Sequence, residues 1–246
     1  VYEQARSLRL AELLPAARRE VDAARPENET AIRPAVACLL ALSPDAAQLV
    51  EGLLDNPCLF VGESALETLA SLGEPARELV TLEWINRNAE SADPRRRRLA
   101  ALALGVHGDQ GTEALHRLLD DREPSVVSAA CQAAGVLKNR AYVHAIVRRL
   151  PDARLRGAAI QALAAYGTRI AGTLGDLLED ASVPMATRRQ LPRVLHRTPE
   201  QRSVDVLLRS IGDGDLSVRS AVLKALNRLR EAAPRLDYGA TFVTRQ

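Results

Sequence analysis

The stretch Asp152-Ala-Arg-Leu-Arg-Gly-Ala-Ala-Ile-Gln-Ala-Leu-Ala-Ala-Tyr-Gly167 decides the fold of this chain. It reads as a short acidic turn, a helix and a stop, because Ala and Leu are strong helix formers and Gly commonly ends helices. The same pattern returns at 215–226 and, less regularly, at 93–105. Repetition of one helical unit predicts stacked units rather than a domain built around one core.

Seven copies of the unit align on the position that Arg156 occupies. Successive copies lie 29 to 35 residues apart, which is typical of stacked supersecondary units. Three positions after each aligned residue stands a small or apolar one, which lets neighbouring helices approach to about 8–10 Å. The aligned residues are Arg33, Gly62, Arg97, Val127, Arg156, Arg188 and Arg219.

A second helix is predicted after the first in six of these units. In the last four, apolar residues recur at i, i+3 and i+4, which marks one helix face. We therefore expect an all-α fold, a right-handed α-solenoid of about seven helix pairs. An entry helix and linker would occupy 1–30, the repeats 31–234 and a C-terminal extension 235–246. Pro192 should kink the first helix of the sixth unit, because proline lacks an N–H and clashes one turn back.

Composition narrows the functional classes. Lys and Arg total 33 against 31 Asp and Glu, and the net charge of +2 is too small to predict nucleic-acid binding. Cys38, Cys58 and Cys131 have no metal-ligand spacing, which favours reduced thiols in a cytosolic compartment. No signal peptide or membrane-spanning run is recognisable. Met185 is the only methionine, so we expect Val1 not to be a natural start and the segment to have been cut from a longer chain or processed.

Asp and Arg recur together at the starts of three first helices. Each Asp is expected to cap free N–H groups. Each Arg, one turn later, could bond that Asp or the turn of the neighbouring repeat, and a row of arginines that binds anions is the alternative. We call this set the Asp/Arg ladder: Asp93, Arg97, Asp152, Arg156, Asp215 and Arg219.

The densest charge run, Arg95 to Arg98, forms a predicted basic patch. Four cations at a helix N-terminus oppose the macrodipole, so the run is either a solvated helix end or a docking site for acidic protein or anionic lipid headgroups. The pairs 148–149 and 188–189 would extend the patch only if they share its face. The members are Arg95, Arg96, Arg97 and Arg98.

Charged residues of the second helices form a candidate binding groove. His116 and His144 fall at matching points of successive second helices, but two histidines without an acidic or Cys partner make a poor metal site. No nucleophile–base set is recognisable, so we expect no catalytic residue, metal or cofactor, and no enzyme. The candidate groove residues are Glu83, Arg87, His116, Arg117, His144, Arg148, Asp176, Asp205 and Arg209.

The first-helix pattern resembles the short HEAT repeats of the armadillo-like class, D-P-x-V-R-x-x-A-x-x-A-L, over about 32–230. Gly62 and Val127 depart from it at the Arg position. The resemblance implies a non-catalytic interaction or regulatory module that binds protein, either another domain of the same chain or a separate client. The residues that carry the motif are Asp215, Val218, Arg219, Val222, Ala225 and Leu226.

A narrower resemblance rests on 191–195, 215–229 and 236–240. These segments are similar to the soluble HEAT domain fused to bacterial nucleotide-transporter-like membrane proteins, relatives of ATP/ADP antiporters. This implies a cytoplasmic module tethered to the inner membrane through a part outside the segment. The alternatives are a free cytosolic HEAT scaffold that assists an enzyme, as bilin-lyase-like relatives do, and a HEAT-type DNA-binding protein. The low aromatic content of 3% and the small net charge count against nucleic acid.

Overall fold

The computed structural model describes residues 13–43, 45–73, 78–108 and 112–239, and every regular element in these ranges is helical. The start of the predicted entry helix and the end of the predicted C-terminal extension lie outside the described residues. Short 3₁₀ turns accompany the α-helices, among them Pro26–Asn28, Arg140–Tyr142 and Gly167–Ile170. The α-helices are α1 Leu14–Asp22, α2 Glu29–Leu42, α3 Ala46–Leu54, α4 Leu59–Leu72, α5 Leu82–Ala89, α6 Pro94–His107, α7 Thr112–Leu119, α8 Pro124–Leu137, α9 Val143–Val147, α10 Arg156–Ala165, α11 Ala171–Glu179, α12 Met185–Arg188, α13 Leu191–Leu195, α14 Gln201–Arg209 and α15 Leu216–Ala232.

The chain divides into two compact units, Val1–Ala133 and Ala134–Gln246. In the first unit the first helices α2, α4 and α6 stack in order, while α5 packs against α6 and α7. Its core is aliphatic, with Ile32, Leu69 and Leu104 fully buried. Each amphipathic helix thus buries its apolar stripe against the next helix of the stack.

The second unit repeats this arrangement. The first helices α10, α13 and α15 pack in order, and the second helices α11 and α14 pack against each other. Tyr142, Ile146 and Leu163 are fully buried among them. Helix pairs packed in repeating order in both units confirm the predicted all-α repeat class.

Short polar side chains begin several helices. Asp93 Oδ1 accepts a hydrogen bond from the N–H of Arg95 at 2.9 Å, and Asp215 Oδ1 accepts one from Ser217 at 2.7 Å. Such caps satisfy N–H groups that have no partner inside the helix. Thr81 Oγ1 likewise accepts from the N–H of Trp84. This cap fixes the start of α5 at Leu82.

The predicted disruption at Pro192 is confirmed. The first helix of the sixth unit is divided into α12, which ends at Arg188, and α13, which begins at Leu191. Pro192 lies in the first turn of α13, where its missing N–H leaves no helical hydrogen bond unmade. The break sets Arg189 and Gln190 between two short helices.

No helix in the described ranges combines the length and the apolar character that crossing a bilayer requires.

Candidate functional site

A cavity of about 540 Å³ opens on the layer of first helices in the second unit. Its walls come from α10, from α13 with the residues that flank it, and from α15. No lining residue is Asp or Glu, and the few apolar ones are Ile160, Ala221 and Ala225. We call this cavity the cationic groove, because six of its lining residues are positively charged: Arg156, Arg189, Arg193, Arg197, Lys224 and Arg228.

The groove cations recur every four residues along two walls. Residues 189, 193 and 197 follow one another at this spacing, as do 224 and 228. Residues 224 and 228 share one side of α15, whereas 193 lies in α13 and 189 and 197 flank that short helix. No hydrogen bond or ion pair within the described ranges uses the side chains of these five exposed residues. Like charges at this spacing destabilise a helix by about 0.2–0.5 kcal/mol per pair. A bound anion would relieve that repulsion.

Arg156, which is half-buried, and Gln190, which is buried, also line the groove, and we call this pair the groove floor. Arg156 donates from Nε to the carbonyl of Leu150 at 3.0 Å and from Nη2 to that of Pro151 at 2.8 Å, which holds its guanidinium in place. Gln190 is only 3% exposed, and its Oε1 has no hydrogen-bond partner among the described residues. An unsatisfied buried polar atom costs about 1–3 kcal/mol. A ligand in the groove could supply the missing partner.

His196 also lines the groove. Burial lowers the pKa of its imidazole below the ordinary value of 6.5, and the positive charges of Arg228, Arg197 and Arg193 lower it further. The Pro192 carbonyl oxygen, 3.3 Å from Nδ1, acts in the opposite direction. Burial and these neighbouring charges therefore favour the neutral imidazole.

The net charge of the chain is small because its two halves carry opposite net charges that largely cancel. Residues 134–246 contain 19 Lys and Arg against 10 Asp and Glu, whereas residues 1–133 contain 14 against 21. The second half therefore carries a net charge of +9 and the first half −7. The total of +2 is a poor guide to local binding chemistry, which depends on the field at each surface.

The ladder arginines bond to turns rather than to the Asp one helical turn earlier. Arg97 is 7% exposed. It forms a bidentate ion pair with Asp121 in the turn of the next repeat, with Nε–Oδ2 at 2.7 Å and Nη2–Oδ1 at 3.0 Å. Arg188 pairs with Asp213 through Nη2, while its Nε donates to the carbonyl of Leu178 at 2.8 Å. Arg219 donates to the carbonyl of Asp213 at 3.1 Å.

The hydrogen bonds between Arg97 and Asp121 shift the pKa values of both side chains. Burial opposes ionisation of the Asp121 carboxyl, but the hydrogen bonds from Arg97 and from the Glu123 N–H outweigh it and lower the pKa of Asp121. The same bond raises the pKa of the Arg97 guanidinium. In the exposed Asp152, the hydrogen bond from the Arg154 side chain lowers the carboxyl pKa. Asp93 and Asp215 act as helix caps, as expected.

The predicted basic patch is largely neutralised by acids of the same unit. Arg96 lies 3.0 Å from Asp55, and Arg98 lies 2.6 Å from Glu63. With Arg97 held by Asp121, only Arg95 of the run has no acidic partner among the residues that the structure describes. The prediction of lipid docking gains no support from this arrangement.

The predicted second-helix residues are divided between the two units. Those in the second unit lie on the layer of second helices, whereas the cationic groove lies on the layer of first helices. Several pair with the preceding second helix: Arg87 with Glu51 at 3.3 Å, and Arg117 with Glu90 at 3.2 Å. Arg209 pairs with Glu179 at 3.0 Å, and Asp205 accepts from Gln201 at 2.8 Å. His116 is half-buried, and the other eight predicted residues are exposed, including Glu83, His144, Arg148 and Asp176. Their role in binding remains a prediction.

The cationic groove was not predicted, although the sequence contains a signal for it. Arginines recur every four residues at 189, 193 and 197, and no Asp or Glu lies between them in the sequence. That pattern differs from the alternating charges of a solvated, ion-paired helix.

No group of His, Cys, Asp and Glu within the described ranges could hold a metal ion. Cys131 is fully buried, and burial raises the pKa of its thiol to about 12. A thiol with such a pKa is protonated at neutral pH and is a poor nucleophile.

Comparison with known proteins identifies the repeat type over part of the chain. Residues 81–164, about a third of the chain, match the family described as HEAT repeats. No curated protein sequence matches the chain. The crystal structure of an engineered protein is 16% identical to it, with 88% of this chain and 97% of that chain covered and a TM-score of 0.35. At that TM-score the likeness carries no argument about structure or function.

Proposed function

We propose that this chain is a non-catalytic helical-repeat interaction module that holds an acidic segment of a partner protein in the cationic groove. The observation that carries the proposal is a concave lining of six cations without a single carboxylate. Guanidinium groups pair with carboxylates through two parallel N–H···O bonds, which gives both affinity and orientation.

Two features favour a protein as the partner. The HEAT-repeat match at 81–164 supports a protein-interaction role. The groove lining contains no Phe, Tyr or Trp, whereas proteins that hold single-stranded nucleic acid commonly stack its bases on such side chains.

The test is binding of a fluorescently labelled peptide rich in Asp and Glu, measured by anisotropy at low salt. The double variant Arg193→Glu/Lys224→Glu should weaken binding by at least about tenfold, because charge-assisted hydrogen bonds contribute roughly 1.5–3 kcal/mol each. The matched control is Arg230→Glu, an exposed residue of α15 that does not line the groove. Equal losses in both variants, or no binding by the unaltered protein, would contradict the proposal.

The resemblance of 191–195 and 215–229 to transporter-linked HEAT domains supports a finer proposal, that the module belongs to a nucleotide-transporter-like membrane protein. The native polypeptide that carries this segment should then be much heavier than the 26.6 kDa of the segment and should require detergent for extraction. A native polypeptide of about the segment's own mass that fractionates without membranes would instead favour a free scaffold that assists an enzyme.

A further inference from the structure

We infer that the His196 end of the cationic groove is a seat for a phosphoryl group, so that the acidic segment recognised there carries a phosphorylated residue. This inference rests on the proposed function and specifies the chemistry of the ligand.

Three arginines converge on His196 from two sides of the groove. Arg193 and Arg197 flank it along its own segment, and Arg228 approaches from α15. All three act electrostatically on its imidazole. A single carboxylate brings one negative charge to this position. A phosphorylated side chain brings about −1.5 to −2 charges and three acceptor oxygens, which suits several guanidinium groups at once.

The groove floor is arranged to donate hydrogen bonds to such a group. Arg156 is fixed through Nε and Nη2, and no described residue occupies its Nη1. A guanidinium held in this way needs little further ordering when it binds an oxyanion. Gln190 adds a buried amide whose oxygen lacks a partner and can accept from a backbone N–H of the bound segment, while its NH₂ group can donate.

The shape of the groove favours a phosphorylated protein segment over the other phosphate sources. Its volume of about 540 Å³ lies in the usual range of roughly 300–1,000 Å³ for pockets that enclose a small group. A duplex nucleic acid presents charge along its whole length, about one per 1.7 Å of helix axis, and is matched by an extended basic surface. The concave seat also differs from the exposed basic surfaces that meet a membrane.

Occupation of the seat should change the protonation of His196. The charged or titratable groups that line the groove with it are Arg189, Arg193 and Arg197 from its own segment, Lys224 and Arg228 from α15, and Arg156 from α10, with no carboxylate among them. A bound dianion offsets these positive charges and favours the imidazolium. Binding should therefore take up a proton near neutral pH, which a merely structural histidine would not show.

The decisive experiment compares three labelled peptides of identical acidic sequence, with Ser, Glu or phosphoserine at one central position. Binding is measured by anisotropy, and NMR follows the pKa of His196. We expect the phosphoserine peptide to bind about tenfold more tightly than the Glu peptide, which corresponds to one additional strong charged contact. We also expect it to raise the pKa of His196. Arg193→Lys and Arg228→Ala should abolish the preference, while Arg230→Ala should retain it.

Orthophosphate, which carries no peptide sequence, tests phosphate binding independently of the peptides. Orthophosphate added to the unaltered protein should shift the NMR signals of His196, whereas acetate at the same ionic strength should not. Circular dichroism of each variant checks that its helices remain intact.

The outcomes separate the two proposals. Equal affinity for the Glu and phosphoserine peptides, together with no phosphate shift, would overturn the phosphoryl seat and leave the acidic-segment proposal standing. If no peptide binds but orthophosphate still shifts His196, the groove binds phosphate that is not part of an acidic segment, and both proposals fail. Tighter binding of duplex DNA or anionic vesicles than of the phosphopeptide would overturn both.

Discussion

Arg97 is the buried cation of the first unit. Its guanidinium bridges Asp121 in the next repeat and also donates to the carbonyls of Ser91 at 2.9 Å and Ala92 at 3.0 Å. A buried ion pair of this kind is not in itself strongly stabilising, because both charges were desolvated to form it. Removal of one partner, however, leaves the other buried without compensation.

Arg97→Ala should therefore lower the free energy of unfolding by about 3–5 kcal/mol, as is usual when one half of a buried pair is lost. Arg117→Ala, which breaks the exposed pair with Glu90, should cost less than about 1 kcal/mol. Urea unfolding followed by circular dichroism measures both. Similar losses of unfolding free energy in the two variants would contradict the prediction that Arg97 contributes more to stability than Arg117.

The lowered pKa of Asp121 gives a prediction about acid stability. A carboxyl with a depressed pKa in the folded state adds stability above its unfolded pKa of about 3.9, and this contribution is lost as the pH falls through the folded value. The difference in unfolding free energy between the unaltered protein and Asp121→Asn should therefore be constant near neutral pH and shrink below about pH 4. Urea titrations from pH 7 to pH 3 test this, and a difference that does not change would refute it.

At the scale of the helices, one turn design precedes several first helices. A short side chain accepts a hydrogen bond from the N–H two residues further on: Asn56 from Cys58 at 2.8 Å, Asp121 from Glu123 at 2.8 Å, and Asp213 from Asp215 at 2.9 Å. Asn and Asp favour such turns because their side chains reach their own backbone. In the last two, the same carboxylate also binds a buried arginine, so turn geometry and repeat stacking depend on one residue.

Glycine marks the closest approaches between first helices. A Cβ at Gly62 would lie 3.0 Å from Leu99 Cδ1, so a side chain at this position would require the flexible Leu99 side chain to shift. A Cβ at Gly135 would lie 3.0 Å from the Cα of Ala162. Backbone on the facing helix cannot move aside as easily as a flexible side chain.

Gly135→Ala should consequently destabilise the protein by about 1–3 kcal/mol, the usual cost of overpacking. Gly157→Ala is the matched control, because that exposed helical glycine has no atom within 4 Å of an added Cβ. It should stabilise the protein by up to about 1 kcal/mol through higher helix propensity. Thermal unfolding of the two variants should shift in opposite directions, and a shift in the same direction would contradict the close packing at Gly135.

At the scale of the whole molecule, charge is divided between the two halves of the sequence. The basic half contains the cationic groove, whose exposed cations have no ion-pair partners among the described residues. In the first unit, several arginines of the basic patch and second helices are paired with acids. Long-range attraction of an acidic partner would therefore act on the basic half.

Affinity for the acidic peptide should fall steeply with salt. Raising NaCl from about 50 to 500 mM shortens the screening length from roughly 14 to 4 Å, so binding should weaken at least about tenfold. The variant Arg193→Glu/Lys224→Glu should show a much shallower dependence. An affinity that salt leaves unchanged would indicate that apolar contacts, rather than the groove cations, hold the peptide.

Sequence alone determined the features that depend on neighbours along the chain. The repeat period, the caps at Asp93 and Asp215 and the helix break near Pro192 follow from local propensity, capping and the missing N–H of proline. The residues of the candidate groove could not be predicted in the same way. Sequence reasoning favoured the second helices, whereas the observed cavity lies on the first-helix layer.

Only the tertiary structure decided which distant residues meet. Arg97 selects Asp121, 24 residues away, instead of Asp93 on its own helix, because packing of successive repeats brings that turn against the guanidinium. Arg156, Arg193 and Arg228 gather around one cavity because three first helices stack in order. Local spacing gives the side of a helix on which a charge lies. The distance between two helices is set by how their side chains pack, and that distance creates the groove.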